Sequence, residues 1–170
     1  MKTGKVKRCG WAEGAPLIEY HDSEYGNIKS TDSALFEQLC LAIFAAGRIN
    51  RSLMEKRNDL LTVFFNYDTG CCSRLREPSI KKISRERGLS LAKVQALKNN
   101  AACCINIIEE HGSLFKFFYA FKQPERLLTA LKRYGFSQVG QATVSCFMKN
   151  IGAIEAHDSD CFMFTSSVEG

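Results

Sequence analysis

An all-α fold is what the sequence predicts, on three observations. Apolar residues recur at steps of three and four in one segment after another, the separation that puts them on a single helix face. Those segments are bounded by capping residues and glycines, among them Thr31-Asp32-Ser33, Gly47, Gly88, Gly135 and Gly152. No segment alternates apolar and polar residues as a half-buried strand does.

The elements follow in order. Residues 1–30 lack a helical period and carry several glycines, so they read as a folded-over arm. Thr31-Asp32-Ser33 caps a first core helix, with Glu37 supporting its first turn and Leu35, Phe36, Leu39, Cys40 and Ile43 on its apolar face; it runs to about Ala46, before Gly47. A second helix is expected over 50–65, around Leu53, Leu60, Leu61, Phe64 and Phe65. Asn66 to Pro78 reads as a loop, and Ser79 to Glu86 as a short helix ending near Gly88. A long helix then opens at Ser90 or Leu91 and carries Val94, Leu97, Ala101, Cys104, Ile105 and Ile108 to about His111. Leu114 to Phe121 is a compact aromatic helix. Gln123 to Tyr134 is another, with Pro124 in its first turn and Gly135 as its stop. Val139 to Asn150 is the last, capped by Gly152.

At 170 residues the chain suits one domain, 1–170, with a sizeable core. No apolar run approaches the roughly 20 residues that span a bilayer, so no membrane partner is expected. The opening MKTGKVKRCGW is basic without an apolar stretch behind it, so it does not read as a secretory signal, and a cytoplasmic protein is expected. Lysine and arginine exceed acids by 23 to 18, a net +5. That excess is compatible with a polyanion partner without requiring one.

Eight cysteines in such a chain are not expected to form a disulfide framework. Cys40, Cys103 and Cys104 sit in helical apolar patterns and read as small buried hydrophobes. Two terminal pairs read differently. Cys9 and His21 lie twelve apart near the start; His157 and Cys161 lie four apart near the end. Two thiolates and two imidazoles are the donor set of a closed, structural tetrahedral Zn²⁺ site. Such an ion would staple residues 1–30 to residues 153–165, neither of which carries much apolar surface of its own. The spacing matches no standard zinc finger, and the competing reading keeps both histidines as ordinary surface or core residues.

Arg8-Cys9-Gly10-Trp11, Pro16-Leu17 and Tyr20-His21-Asp22-Ser23-Glu24-Tyr25-Gly26 resemble the opening signature of the type I 3-methyladenine DNA glycosylases, RCGW…YHDxEWG. The similarity continues through Leu35-Phe36-Glu37 and Leu39-Cys40-Leu41, returns at Lys93 to Ala96 and at Leu131 to Phe136, and closes with His157 and Cys161. The resemblance implies a helix-hairpin-helix glycosylase fold that docks DNA at its hairpin. It implies Zn²⁺ on Cys9, His21, His157 and Cys161. It also implies excision of an alkylated base of the 3-methyladenine class from double-stranded DNA. No lysine is placed as a recognised Schiff-base nucleophile, so a monofunctional enzyme is expected, and a monomer is expected.

That chemistry asks for a flipped base, aromatic faces on either side of it, an acceptor for its edge, and amides or cations on the phosphates. The resemblance assigns Tyr20 to the base pocket, with Tyr25 standing where the family has tryptophan. The family's base-reading glutamate falls on Ala42 and its stacking tryptophan on Asn50, so the catalytic residue itself is unassigned. Asp22 and Glu24 are the nearest acids. The hairpin, Gly88-Leu89-Ser90-Leu91-Ala92-Lys93, is shorter than the family's and has lost its arginines; Lys93 and Lys98, with the upstream Lys81, Lys82, Arg85 and Arg87, are the candidate phosphate contacts, against the competing reading of a solvated helix face. Two functions follow: a monofunctional DNA N-glycosylase, or a degenerate relative that binds DNA or protein on the same scaffold without chemistry. Ala42, Asn50 and the shortened hairpin favour the second; the lability of a cationic base, which demands little catalysis, favours the first.

Overall fold

A computed structural model of the protein describes residues 6–166; residues 1–5 and 167–170 of the expected 1–170 domain lie outside them. The described residues form nine α-helices and no strand. These are α1 (Leu17–Ser23), α2 (Asp32–Phe44), α3 (Arg51–Val63), α4 (Thr69–Ser73), α5 (Glu77–Arg87), α6 (Leu91–His111), α7 (Leu114–Phe118), α8 (Pro124–Tyr134) and α9 (Gln141–Asn150). One apolar core runs through them. Helix α2 is its axis: every residue from Leu35 to Ile43 is buried, because α6, α7 and α9 pack around it.

Most boundaries are set by the residues that predicted them. Thr31 caps α2 by accepting from the Ala34 amide at 3.2 Å. Gly88 and Gly135 end α5 and α8 in the left-handed conformation. Asn50 caps α3: its Oδ1 accepts from the Leu53 amide at 3.0 Å. The α7 segment ends at Phe118 rather than Phe121, where Ala120 and Phe121 close tighter turns onto the Phe117 and Phe118 carbonyls.

Two segments differ from expectation. The arm is not wholly irregular, since Leu17–Ser23 is a helix whose buried Leu17, Tyr20 and His21 stand at i, i+3 and i+4. The expected loop at 66–78 contains α4. Its sequence, Thr-Gly-Cys-Cys-Ser, is a poor helix former, but Asp68 Oδ1 caps it through the Cys71 amide at 2.7 Å and the fully buried Cys72 anchors it against α6.

Two glycines bring chain segments close enough to shape the site. Gly47, in the turn after α2, has φ +81°, and a Cβ there would sit 2.8 Å from the Ala142 backbone at the start of α9. Gly152, just past α9, has φ +69° and lies against the Gly26 carbonyl of the arm. Both ends of α9 are thereby held against the α2–α3 turn and the N-terminal arm.

Candidate functional site

The first constellation joins the termini. One donor atom from each of Cys9, His21, His157 and Cys161 lies within 4.8 Å of all the others, close enough to hold one metal ion. The shortest separation, 3.2 Å, joins His157 Nδ1 to His21 Nε2. Cys161 Sγ stands 3.4 Å from His21 Nε2 and 3.7 Å from His157 Nδ1; Cys9 Sγ stands 3.6 Å from His157 Nδ1. All but the half-buried His157 are buried. Burial pushes the Cys9 thiol up to about 11 and holds His157 below its ordinary value, so a cation is what would favour the ligating thiolate here.

Behind the ligands the polar groups are matched. His21 Nδ1 meets Asp22 Oδ1 at 2.8 Å, which fixes the imidazole with Nε2 facing the cluster. Arg8 clamps Asp22 with contacts of 2.7 to 3.0 Å, and its guanidinium holds that carboxyl down at about 2. The Asp158 amide donates to Cys9 Sγ at 3.2 Å.

A second network ties the arm to α2 and α3. Arg57 pairs with Glu24 through two bonds of 2.7 Å and with Glu37 at 2.7 and 3.1 Å. Gln38 donates to Glu24 at 2.9 Å and accepts from the Tyr20 hydroxyl at 3.0 Å. Burial alone would raise the Glu24 carboxyl; the bonds from Arg57 outweigh it and leave that carboxyl below its ordinary value. Asp22 and Glu24, the acids nearest the arm's aromatics, are thus both committed to arginines.

Beside the cluster opens a pocket of roughly 400 Å³, within the range of small-molecule sites. Trp11 and Tyr25 of the arm form one wall and the Gly47–Ile49 turn another. The third is one face of α9, with Ala142, Ser145, Cys146, Lys149 and Asn150 at helical spacing. Trp11 meets Tyr25 edge-on, with ring centroids 4.8 Å apart, and Tyr25 stacks on the metal-site ring of His21 at 6.0 Å. The Tyr25 hydroxyl donates to the Ala156 carbonyl at 2.9 Å, just before His157. The pocket wall and the metal cluster are therefore one packed unit. Among the described residues, no carboxylate lines the pocket. Burial keeps the Cys146 thiol protonated by pushing it up to about 11. The buried Asn150 amide nitrogen has no hydrogen-bond partner among the described residues, a condition that costs about 1–3 kcal/mol in a folded protein.

The residues named from sequence fall out unevenly. Cys9, His21, His157 and Cys161 come together. Tyr25 lines the pocket; Tyr20 stands behind it, with ring centroids 6.1 Å apart and its hydroxyl occupied by Gln38. Asn50 is exposed and serves as the α3 cap rather than as a pocket wall, although its neighbour Ile49 lines the pocket. Ala42 is fully buried inside α2. Lys93 and Lys98 are both half-buried on α6, and five residues of separation turn them to different faces; the Lys93 ammonium leans to the Phe44 carbonyl at 3.5 Å. The sequence reading did not place Trp11, Cys146 or Asn150 in the site. Trp11 had a usable signal, as the only tryptophan in the chain and part of the quoted signature. Cys146 and Asn150 had none, because their position relative to the arm depends on how α9 docks.

Comparison with known proteins agrees with this layout. A family model described as methyladenine glycosylase matches residues 11–129. DNA-3-methyladenine glycosylase 1 of Escherichia coli K12 is 28% identical over 180 residues, covering 92% of this chain and 96% of that protein. A crystal structure of 3-methyladenine DNA glycosylase I superposes with a TM-score of 0.84 at 26% identity, covering 94% of this chain and all of that one. The Staphylococcus aureus enzyme, whose structure describes 3-methyladenine recognition, superposes with a TM-score of 0.83 at 23% identity, over 93% of this chain and 96% of its own.

Proposed function

The chain belongs to the methyladenine glycosylase family, and from that premise we propose that it is a base-excision repair N-glycosylase acting on double-stranded DNA that carries an alkylated base of the 3-methyladenine class. The observation that carries the reading is the pocket: an aromatic pair, Trp11 and Tyr25, faces α9 across a space large enough for a flipped purine.

The chemistry required is modest. 3-Methyladenine in DNA is cationic, so cleavage of its bond to C1′ returns the electron pair to the ring and releases a neutral base. The deoxyribose passes through an oxocarbenium-like state, water adds at C1′, and a proton leaves to solvent. Trp11 offers its face to the cationic ring, where the π-system favours the charge, and Tyr25, nearly perpendicular to Trp11, backs that wall. The pocket encloses it and excludes competing water. With no acid in the lining among the described residues, and with Lys149 of the lining given no covalent role in this reading, excision proceeds by positioning and by the lability of the leaving group. The proposed catalyst is monofunctional.

DNA docking is assigned to the α5–α6 connection. Helix α5 ends at Gly88, and after a three-residue turn α6 presents the first amides of a 21-residue helix, a place where phosphate is favoured. Lys93 and Lys98 follow on α6 as phosphate contacts. This connection stands as the hairpin of a helix-hairpin-helix glycosylase. One core through all nine helices supports a single domain over 1–170, working as a monomer.

For the terminal cluster the proposed ion is Zn²⁺, in a structural role. In a tetrahedral site with bonds of about 2.0–2.1 Å to nitrogen and about 2.3 Å to sulfur, ligand edges run from about 3.3 Å to about 3.8 Å. Four of the six ligand separations, 3.2 to 3.7 Å, lie close to that range, and all six are within 4.8 Å. Four protein ligands leave no open position. Bound zinc supplies no chemistry to the reaction; it holds the arm that carries Trp11 and Tyr25.

The test is release of free 3-methyladenine from methylated duplex DNA by the purified, zinc-loaded chain, followed by chromatography under single-turnover conditions. Release by the wild type, falling at least tenfold in Trp11→Ala, is the expected result, since stacking on an aromatic side chain contributes about 1–3 kcal/mol per base. No release, with salt-sensitive DNA binding retained, would instead make the chain a binding module on a glycosylase scaffold.

A further inference from the structure

The pocket has a reading group of its own. Asn150 is 1% exposed, lies on the α9 face that lines the pocket, and keeps a buried amide nitrogen without a partner. Its Oδ1 is engaged, among the described residues, by the Cys146 thiol at 3.8 Å, a weak donor. The backbone on both sides is fixed: the Asn150 carbonyl accepts from the Gly26 amide at 3.2 Å, and Gly152 packs against Gly26. The residue is therefore fixed by its main chain, and its buried amide nitrogen is left unpaired on the pocket wall. Everything else polar that is buried near the arm, including Tyr20, Gln38, Glu24 and Arg57, is already satisfied.

We propose that Asn150 is the specificity-determining residue of this pocket, reading the edge of a flipped purine with its side-chain amide. The inference rests on the glycosylase reading above and adds a substrate class to it. An amide carries a donor and an acceptor side by side and pairs with an adenine-type edge through two bonds, N–H to ring nitrogen and amino group to C=O. A half-turn about χ2 exchanges the two ends, so the same amide pairs with a 6-oxo purine, donating to O6 and accepting from N1–H. A carboxylate accepts only and would repel O6. Ala42, fully buried in α2, offers neither group. The pocket thus accepts 6-amino and 6-oxo purines alike, and discriminates against purines lacking a substituent at that position.

Titration of the full-length, zinc-loaded protein with free bases, followed through the fluorescence of its single tryptophan in the pocket wall, tests this. The probes are 3-methyladenine, hypoxanthine and unsubstituted purine. The wild type is expected to bind the first two within about tenfold of each other and purine at least tenfold more weakly. Asn150→Leu, close in volume, weakens the first two by about tenfold and purine, which has only the ring nitrogen to offer, by less. Asn150→Asp, which keeps an acceptor but loses the donor, weakens 3-methyladenine and hypoxanthine alike, and carries the test if the leucine variant does not fold. Equal affinities in wild type and both variants would overturn the role of Asn150 while leaving the glycosylase reading intact. Wild-type protein that binds none of the bases, and releases none from methylated DNA, would remove that reading and this inference with it.

Discussion

The metal cluster and the pocket share a wall, yet they are built on opposite terms. At the cluster every polar group behind the ligands has a partner: His21 leans on Asp22, Asp22 on Arg8, and Cys9 takes the Asp158 amide. At the pocket the aromatic faces are partly open, no acid is present, and the Asn150 amide is unpaired. Satisfied networks fix geometry, whereas unsatisfied groups in a cleft are available to a ligand. The arm between them, from Cys9 to Tyr25, belongs to both. In the proposed reading the cluster side holds it and the pocket side uses it.

That contrast is sharpened first by removing a ligand. His21→Ala should abolish stoichiometric zinc in elemental analysis and remove the stapling contribution, on the order of 5 kcal/mol, lowering the melting temperature by 10 °C or more. Chelation of the wild type should move it in the same direction. A variant that melts like the wild type would show that the termini hold themselves.

Next in size is Arg57→Met, which leaves the buried Glu37 without its cation and Glu24 with only the longer Lys29 pair at 3.7 Å. It should cost about 3 kcal/mol, read by denaturant unfolding, without altering zinc content. The same network sets an acid limb. The Glu24 carboxyl is held below its ordinary value, so its contribution is complete above the unfolded carboxylate pKa and is lost as pH falls through the folded one. Melting temperature should therefore hold from neutrality to about pH 5 and fall below it, and more gently in the Arg57→Met protein.

Much of this was legible in the sequence, and the exceptions have physical causes. Caps and stops found the helices, because Thr31, Gly88 and Gly135 act locally. Residue chemistry found the metal cluster, since thiols and imidazoles are scarce enough to stand out. Helix α4 was missed because its stability comes from packing on α6, not from Thr-Gly-Cys-Cys-Ser. Asn50 shows the same limit at the site: position within a motif suggested the pocket, while its Oδ1 is engaged in capping α3. Cys146 and Asn150 reach the pocket only through the docking of α9 against the arm, a long-range arrangement with no local signature.

Asn50→Ala separates those two roles. It should lose about 1 kcal/mol of stability, as helix caps do, with base binding unchanged. Weakened base binding at unchanged stability would return Asn50 to the pocket. The smallest expected effect is that of Lys98→Ala, which should lower DNA affinity slightly and reduce the slope of log affinity against log salt by about one. An unaltered slope would move the phosphate contacts off this part of α6.

The most direct test of the division between a holding side and a reading side is nuclear magnetic resonance of the zinc-loaded protein titrated with 3-methyladenine. The chain has a single tryptophan, so its indole N–H signal belongs to Trp11 without ambiguity. That signal and the Asn150 side-chain amide should shift together, while the ring signals of His21 and His157 stay nearly in place. Shifts confined to other regions of the protein, with Trp11 unmoved, would contradict the placement of the base pocket between the arm and α9.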